Sequence, residues 1–232
     1  MSQPGERPRF YGRRSGKALR RNALALIDTL LPRLAIAVPG PGDRLDPAAL
    51  FAGPVGEVWL EVGFGGGEHL AELAAGRPDV GLIGAEVFRN GIASLLGHVQ
   101  ARDLANVRVF AEDARLLLPT LPEASLTRAF VLFPDPWPKH RHAERRFIAA
   151  DNLDALARLL VDGGELRVAS DDPVYVAWAA SQLDRHGAFD EVLATTDRSL
   201  LPPDWPATRY EQKRLAGPRP TFFLYRRVPR QP

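Results

Sequence analysis

The chain has 232 residues, of which 45% are hydrophobic and 25% are charged, as in an ordinary globular protein. It contains no cysteine, which excludes disulfide scaffolds, thiolate metal sites and cysteine nucleophiles. No apolar run approaches the roughly 20 residues that a membrane helix needs, and the first 17 residues lack the apolar core of a secretion signal. The sequence therefore predicts a cytoplasmic protein that does not bind membranes.

The formal net charge is only +2, but the basic residues are concentrated in three segments. Residues 7–21 hold seven Lys and Arg and no acid, residues 139–146 hold four with one acid, and residues 209–230 hold seven with one acid. The rest of the chain is therefore acidic. Cations placed along a phosphate backbone release condensed counterions, so this distribution favours a nucleic-acid partner. Solvated basic tails are the alternative.

Residues 1–42 are interpreted as a basic, flexible arm with a short helix, and residues 43–232 as the main domain. Pro32 and Pro39 keep any helix within residues 22–38 short or broken. In the main domain, predicted strands alternate with predicted helices. The strands are predicted at 57–63, 80–87, 106–113, 126–133 and 165–170, with further candidates at 190–196 and 221–227. The helices are predicted after the glycines at 63–67, at 89–102 interrupted by Gly91 and Gly97, at 114–118, at 144–160 with a stop at Gly163-Gly164, and at 173–187.

This alternation predicts an α/β fold in which helices cover both faces of a mostly parallel, seven-stranded sheet. In such sheets ligands bind at the carboxyl ends of the strands. Five of the predicted strand ends carry an acid: Glu61, Glu86, Asp113, Asp135 and Asp171.

A glycine-rich turn at Gly63, Gly65 and Gly67 connects the first strand to a helix, where backbone can approach a ligand closely. The dinucleotide fingerprint would need a glycine at position 68, which is Glu68, and a phosphate-binding loop would bring Lys followed by Ser or Thr. The turn is instead surrounded by acids. An acid-lined pocket favours a ligand with hydroxyls, amines or positive charge over a pyrophosphate.

S-adenosylmethionine is such a ligand, with a cationic sulfonium, an ammonium group, a ribose diol and no phosphate. Glu86 lies where an acid commonly binds ribose hydroxyls, and Asp113 is placed to accept from an adenine amino group. Capping of the following helix is the alternative for both Asp113 and Asp171. A class I, Rossmann-like methyltransferase fold is the favoured interpretation.

The segment at 131–147, VLFPDPWPKHRHAERRF, places Asp135 between two prolines and before a basic run. A stiff proline loop followed by solvated charge is the alternative interpretation. This segment and five others resemble the bacterial tRNA (guanine-N7)-methyltransferase family over most of residues 57–228. The other five are EVGFGGGEHL, GAEVFRNG, EDARLLLP, VASDDPVYVAW and TRYEQKRLAG.

The resemblance implies methyl transfer from S-adenosylmethionine to N7 of a guanine in tRNA, namely guanine 46 of the variable loop. It implies Asp135 as the catalytic residue. The implied cofactor-binding residues are Glu61, Gly63, Gly65, Glu86, Asp113 and Asp135. The implied substrate-binding residues are Lys139, Asp171, Thr208, Arg209, Tyr210 and Glu211. The implied RNA contacts are Arg141, His142, Arg145 and Arg146.

Two residues depart from the family pattern: Glu144 stands where a basic residue is common, and Asp172 where Trp is common. His140 and His142 are too few for a metal site, so no metal is expected. No obligatory protein partner is expected, and the protein is expected to be a monomer or a homodimer.

Guanine N7 has a lone pair, so methylation needs no prior deprotonation, and alignment of the reactants can supply most of the catalysis. Either Asp135 or Asp171 could accept from the guanine N1–H and amino group, and either Trp137 or Tyr210 could stack on the base. Three alternatives remain: methylation of another RNA, a small molecule or a protein; RNA binding without catalysis; and, disfavoured by Glu68, nicotinamide-dependent reduction.

Overall fold

The computed structural model describes residues 12–37, 40, 44–212 and 219–231. The helices are α1 (Arg21–Thr29), α2 (Leu31–Leu34), α3 (Glu68–Gly76), α4 (Arg89–Arg102), α5 (Ala114–Leu117), α6 (Ala150–Leu159), α7 (Pro173–Asp184) and α8 (Arg209–Gln212). The strands are β1 (Glu57–Val62), β2 (Val80–Ala85), β3 (Val107–Phe110), β4 (Leu126–Leu132), β5 (Leu160–Ser170), β6 (Phe189–Thr195) and β7 (Thr221–Arg227).

The seven strands form one sheet in the order β3-β2-β1-β4-β5-β7-β6, which confirms the predicted sheet. Strands β1 to β5 run parallel, and β7 runs antiparallel to both of its neighbours, β5 and β6. The strand order reverses between β1 and β4, because the chain proceeds outward from β1 to β3 and then returns to the other side of β1. The crevice at the carboxyl ends of β1 and β4 is where this topology places a ligand.

Apolar side chains cover both faces of the sheet. Within β1, Trp59 and Leu60 are fully buried and point to opposite faces. Helices α5, α6 and α7 pack on the face of Leu60, and helices α1 to α4 pack on the face of Trp59. Burial of each such side chain contributes about 1.5–3 kcal/mol, so the core holds the strand ends in fixed positions.

The prediction of one helix over residues 144–160 was wrong for its first turns. Residues His140–Arg145 form a separate 3-10 helix, and the backbone is extended at Arg146 (ψ 135°) and at Ala149 (ψ 160°) before α6 begins. Side chains of α7 hold this stretch, since Trp178 Nε1 donates to the carbonyl of Ile148 and the Tyr175 hydroxyl accepts from its N–H. Tertiary hydrogen bonds therefore override the local helical pattern.

Two glycine-based predictions were also wrong. Gly163 and Gly164 lie inside β5, which starts directly after α6, instead of terminating a helix. Gly91 and Gly97 do not interrupt α4, which is continuous. The broken helix in the N-terminal region is confirmed, because α1 and α2 are separate and Pro32 lies in the first turn of α2.

Residues 1–11, Pro39 and the expected domain boundary at residue 42 lie outside the described residues. The described part of the N-terminal region packs on the main domain, since Leu26, Ile27 and Leu30 contact the core on the α3–α4 face. Within the described ranges, no helix has the length and apolar character to cross a membrane.

Candidate active site

The glycine turn lies directly beyond β1, in the crevice that the strand order creates. Gly63 and Gly65 have φ values of 70° and 56°, in the left-handed region that a side chain would disfavour. The Gly63 N–H donates to the carbonyl of Ala85, which ties the turn to the end of β2. Helix α3 begins immediately after Gly67. The turn thus presents bare backbone to the space above the sheet.

Glu86 follows β2 and connects the two sides of this crevice. Its carboxylate accepts hydrogen bonds from the N–H groups of Gly65 (2.9 Å), Val87 (2.8 Å) and Phe88 (2.9 Å). Burial raises the pKa of the Glu86 carboxyl above its ordinary value of 4.5; the three N–H groups oppose the rise and the nearby charge of Asp135 adds to it. A half-buried acid with a raised pKa, lining a cleft, is a common feature of binding sites.

Asp113 follows β3 and has two roles. It is the N-cap of α5, accepting from the Arg115 N–H, and it forms an ion pair of 2.6 Å with the Arg115 guanidinium. The capping interpretation of Asp113 is therefore correct. Its side chain also lines the cavity, so capping fixes an acid at the cavity wall.

These strand ends surround a cavity of about 500 Å³, here called the large cavity, which is a size typical of sites for drug-sized ligands. The wall includes five of the six residues that the resemblance assigns to the cofactor: Gly63, Gly65, Glu86, Asp113 and Asp135. The sixth, Glu61, is not among the lining residues. Its buried carboxylate lies 2.8 Å from Nδ1 of His69 on α3, and it thereby links β1 to the helix after the glycine turn.

The loop after β4 separates the large cavity from a second cavity of about 300 Å³, here called the small cavity. Phe133, Pro134 and Asp135 line both cavities. Asp135 is also exposed. The single loop of β4 therefore places one acid at the junction of two potential ligand sites.

On its other side, the small cavity is formed by the end of β5 and by α8. Asp171 and Tyr210 face each other there, with the tyrosine hydroxyl 3.4 Å from Asp171 Oδ2. The Tyr210 ring lies 5.1 Å from the ring of Phe133, which is also in the wall. The N-cap of α7 is Asp172, which accepts from the N–H groups of residues 174 and 175, so the capping alternative for Asp171 is wrong.

The four residues Thr208 to Glu211 have different tasks. Thr208 and Glu211 form a reciprocal capping box at the start of α8: the Glu211 carboxylate accepts from the Thr208 N–H at 2.8 Å, and the Thr208 hydroxyl accepts from the Glu211 N–H at 3.3 Å. This leaves Arg209 and Tyr210 to point outward. Arg209 pairs with Glu68 of α3 at 2.8 Å, which links α8 to the helix that follows the glycine turn.

The basic run after Asp135 divides into exposed and buried members. Lys139 and Arg141 are exposed, and His142 and Arg145 are half-buried. Partial desolvation lowers the pKa of His142, and the charges of Arg145 and Arg141 lower it further. Arg146 is 5% exposed and belongs to the wall of the large cavity. Trp137 lines the large cavity, and of the two aromatic candidates for base stacking only Tyr210 lines the small cavity.

Sequence reasoning missed the N-terminal segment as part of the site. Gly12 and Arg13 line the large cavity. The segment is held by Asn90, whose side chain accepts from the Gly16 N–H and donates to the carbonyl of Lys17. No local pattern signals a contact between residues 74 positions apart.

The third basic segment, at 209–230, is less available for a nucleic acid than its composition suggests. Arg227 donates to the carbonyl of Ala157, and Arg230 pairs with Glu123 and Asp162 and donates to the carbonyl of Leu160.

Within the described part of the chain, no group of three His, Cys, Asp or Glu side chains could hold a metal ion.

A family described as "Putative methyltransferase" matches residues 56–224. The tRNA (guanine-N(7)-)-methyltransferase of Paramagnetospirillum magneticum is 73% identical over 223 residues, which cover 96% of this chain and 94% of that protein. The enzyme of the same description from Rhodospirillum rubrum is 52% identical, over 98% of this chain and 91% of that protein. The chain belongs to the tRNA (guanine-N7)-methyltransferase family. The resemblance seen in the sequence is thereby confirmed, and the protein is a methyltransferase.

Solved structures confirm the class I methyltransferase fold. The 16S rRNA methyltransferase KamB has a TM-score of 0.54 at 14% identity, over 75% of this chain and 89% of that chain. A 16S rRNA (adenine(1408)-N(1))-methyltransferase from Catenulisporales acidiphilia, solved with its cosubstrate SAM, has a TM-score of 0.52 at 16% identity, over 77% and 89% of the two chains. At these identities the likeness concerns the fold alone.

One prediction follows from the raised pKa of Glu86. The ribose diol would donate to the ionised carboxylate, so we expect cofactor affinity to fall as the pH drops through this pKa, at a pH above the ordinary 4.5. Glu86→Gln should weaken cofactor binding at pH 7 and flatten this dependence between about pH 4 and 7. Isothermal titration calorimetry across the pH range checks it, and an equal pH dependence in both proteins would contradict it.

Proposed function

We propose that the protein transfers a methyl group from S-adenosylmethionine to N7 of a guanine in tRNA, with guanine 46 of the variable loop as the target. The observation that carries the proposal is the pair of adjoining cavities that share Asp135. The large cavity suits the methyl donor and the small cavity suits a single nucleobase. A transfer reaction needs two such sites in contact.

The residues of the large cavity fit S-adenosylmethionine. Glu86 offers a carboxylate for the ribose hydroxyls, Asp113 offers one near the adenine, and the turn at Gly63 and Gly65 gives close backbone approach. When bound, S-adenosylmethionine supplies a methyl group on a cationic sulfonium.

The residues of the small cavity suit guanine. Asp171 and Asp135 both line it, and a carboxylate there can accept from the N1–H and the amino group of the base. This orientation leaves the N7 lone pair unobstructed. Tyr210 provides an aromatic face for stacking, as is common when an enzyme takes a base out of a folded RNA. A carboxylate near the ring also favours the product, since methylated guanine carries positive charge.

The exposed cations beside the small cavity are suited to the RNA backbone. Lys139 and Arg141 extend from the same segment that carries Asp135, so phosphate contacts there would bring the target base toward the cavity. Thr208 and Glu211 support this side indirectly through the capping box of α8. We also propose that the protein works in the cytoplasm, as a monomer or a homodimer, without another protein.

The test uses the purified protein alone, labelled S-adenosylmethionine and unmodified tRNA, followed by mapping of N7-methylguanine. We expect stoichiometric methylation at guanine 46. A tRNA with 7-deazaguanine at that position should bind but accept no methyl group, because it lacks the N7 lone pair. Binding of both tRNAs without any transfer would mean an RNA-binding role and would refute the proposal. Methylation of a different guanine would refute position 46 alone.

A further inference from the structure

We propose that Arg146 is a positioning residue that fixes the Asp135 loop, and that it is not a contact for RNA phosphates. This inference rests on the proposed function for its catalytic consequence. Although Arg146 belongs to the basic run by sequence, its side chain is 5% exposed. An arginine that binds phosphates needs its guanidinium at the surface, and here the exposed members of the run are Lys139 and Arg141.

The guanidinium of Arg146 is engaged by the Asp135 loop. Its Nε donates to the carbonyl of Pro136 at 3.0 Å, and a terminal nitrogen donates to the carbonyl of Trp137 at 2.9 Å. Prolines at 134, 136 and 138 have no N–H, so this loop has few donors of its own and its carbonyls need donors from elsewhere. Arg146 supplies two donors in the planar geometry that only arginine offers.

The loop requires such support because its backbone is strained. Phe133 and Trp137, the residues on either side of the Pro134–Pro136 segment, have φ values of 50° and 43°. Non-glycine residues adopt the left-handed region only when the surrounding structure compels them to. The two hydrogen bonds from Arg146 fall on the carbonyl of Trp137 and on the one before it. These hydrogen bonds therefore stabilise the loop at Trp137, one of its two strained residues.

The other face of the guanidinium packs against α7. It lies 4.8 Å from the centre of the Trp178 ring, whose Nε1 donates to the carbonyl of Ile148. The loop with Asp135 is thus connected through Arg146 to α7, and Asp171 lies just before the N-terminus of that helix. Asp135 and Asp171 both line the small cavity. Arg146 consequently sets the spacing between the two carboxylates that are proposed to hold guanine.

Arg146→Lys tests this proposal, because lysine keeps the charge but cannot make both hydrogen bonds and stack. We expect kcat for tRNA methylation to fall by at least about tenfold, while the tRNA Kd and its dependence on salt stay unchanged. For the salt dependence, Arg146→Ala is compared with Arg141→Ala, at an exposed residue of the adjacent 3-10 helix. Arg141→Ala should raise the tRNA Kd and reduce the slope of log K against log salt by about 0.7–0.9, the effect of one lost phosphate contact.

A second measurement does not depend on catalysis. Asp135 and Trp137 carry the only amide protons between residues 134 and 138, and both should exchange with solvent faster in Arg146→Lys, as followed by nuclear magnetic resonance. Trp178→Leu, which removes the stacking surface, should produce a smaller change of the same kind, and it serves if the first variant unfolds. Unchanged exchange in Arg146→Lys, or a salt slope in Arg146→Ala reduced as in Arg141→Ala, would overturn the proposal. Absence of transfer by the unaltered protein would instead refute the proposed function.

Discussion

Asp135→Asn is expected to lower kcat for methyl transfer by about a thousandfold, which is the usual effect of removing one preorganised charge from a reacting centre. Asp135 lines both cavities. Under the proposed function, its carboxylate lies where the cationic methyl donor meets the developing positive charge on guanine. Asparagine keeps the shape of the side chain but removes the charge. Single-turnover transfer to unmodified tRNA measures the effect separately from binding.

The fold should not suffer from this substitution, since Asp135 is exposed and exposed substitutions usually change the free energy of unfolding by less than about 0.5 kcal/mol. Asp190→Asn is the matched control, because this exposed aspartate of β6 lines neither cavity. It should retain full activity. If Asp135→Asn also retained activity, the catalytic assignment of this residue would have to be abandoned.

Gly91→Ala is expected to damage the large cavity through a backbone clash. A Cβ at this position in α4 would lie 2.1 Å from the carbonyl oxygen of Gly65, so the glycine turn would have to move. Overpacking of this kind costs about 1–3 kcal/mol in the free energy of unfolding. Because the Gly65 N–H also bonds to Glu86, cofactor affinity should fall by at least about tenfold. Chemical denaturation and calorimetric titration measure the two effects.

Gly97→Ala provides the comparison within the same helix. A Cβ at Gly97 meets no atom within 4 Å, and alanine is the better helix former by about 0.5–1 kcal/mol. We therefore expect this variant to be slightly more stable and to bind the cofactor normally. Equal behaviour of the two alanine variants would show that the contact between Gly91 and Gly65 does not shape the site.

The Arg209–Glu68 ion pair gives the two halves of the site a direct connection. Glu68 occupies the position where a dinucleotide-binding turn would have its third glycine, and its carboxylate lies 2.8 Å from the Arg209 guanidinium beside Tyr210. Glu68, which is incompatible with the dinucleotide fingerprint in the sequence, thus joins α3 to α8. A glycine at this position would remove the link between the turn and the wall of the small cavity.

The sheet and the acids at its carboxyl edge could be predicted from the sequence. Alternating strands and helices dictate a parallel arrangement, and parallel strands bring their carboxyl ends together, so Glu86, Asp113, Asp135 and Asp171 had to converge. The glycine turn could also be predicted from the sequence, because its conformation depends on residues that are adjacent in the chain. The family resemblance added the chemistry that is proposed for these positions.

Packing between distant segments determines which charged side chains line the cavities and which bond to other parts of the protein. Arg146 and Arg230 look like RNA contacts in the sequence, yet their donors are taken by backbone carbonyls of other segments. Glu61 bonds to His69, and Gly12 and Arg13 reach the large cavity from far along the chain. A charged residue looks the same in the sequence whether its side chain binds a ligand or bonds to another segment of the protein. Its partner is fixed by packing between distant segments, which no local pattern records.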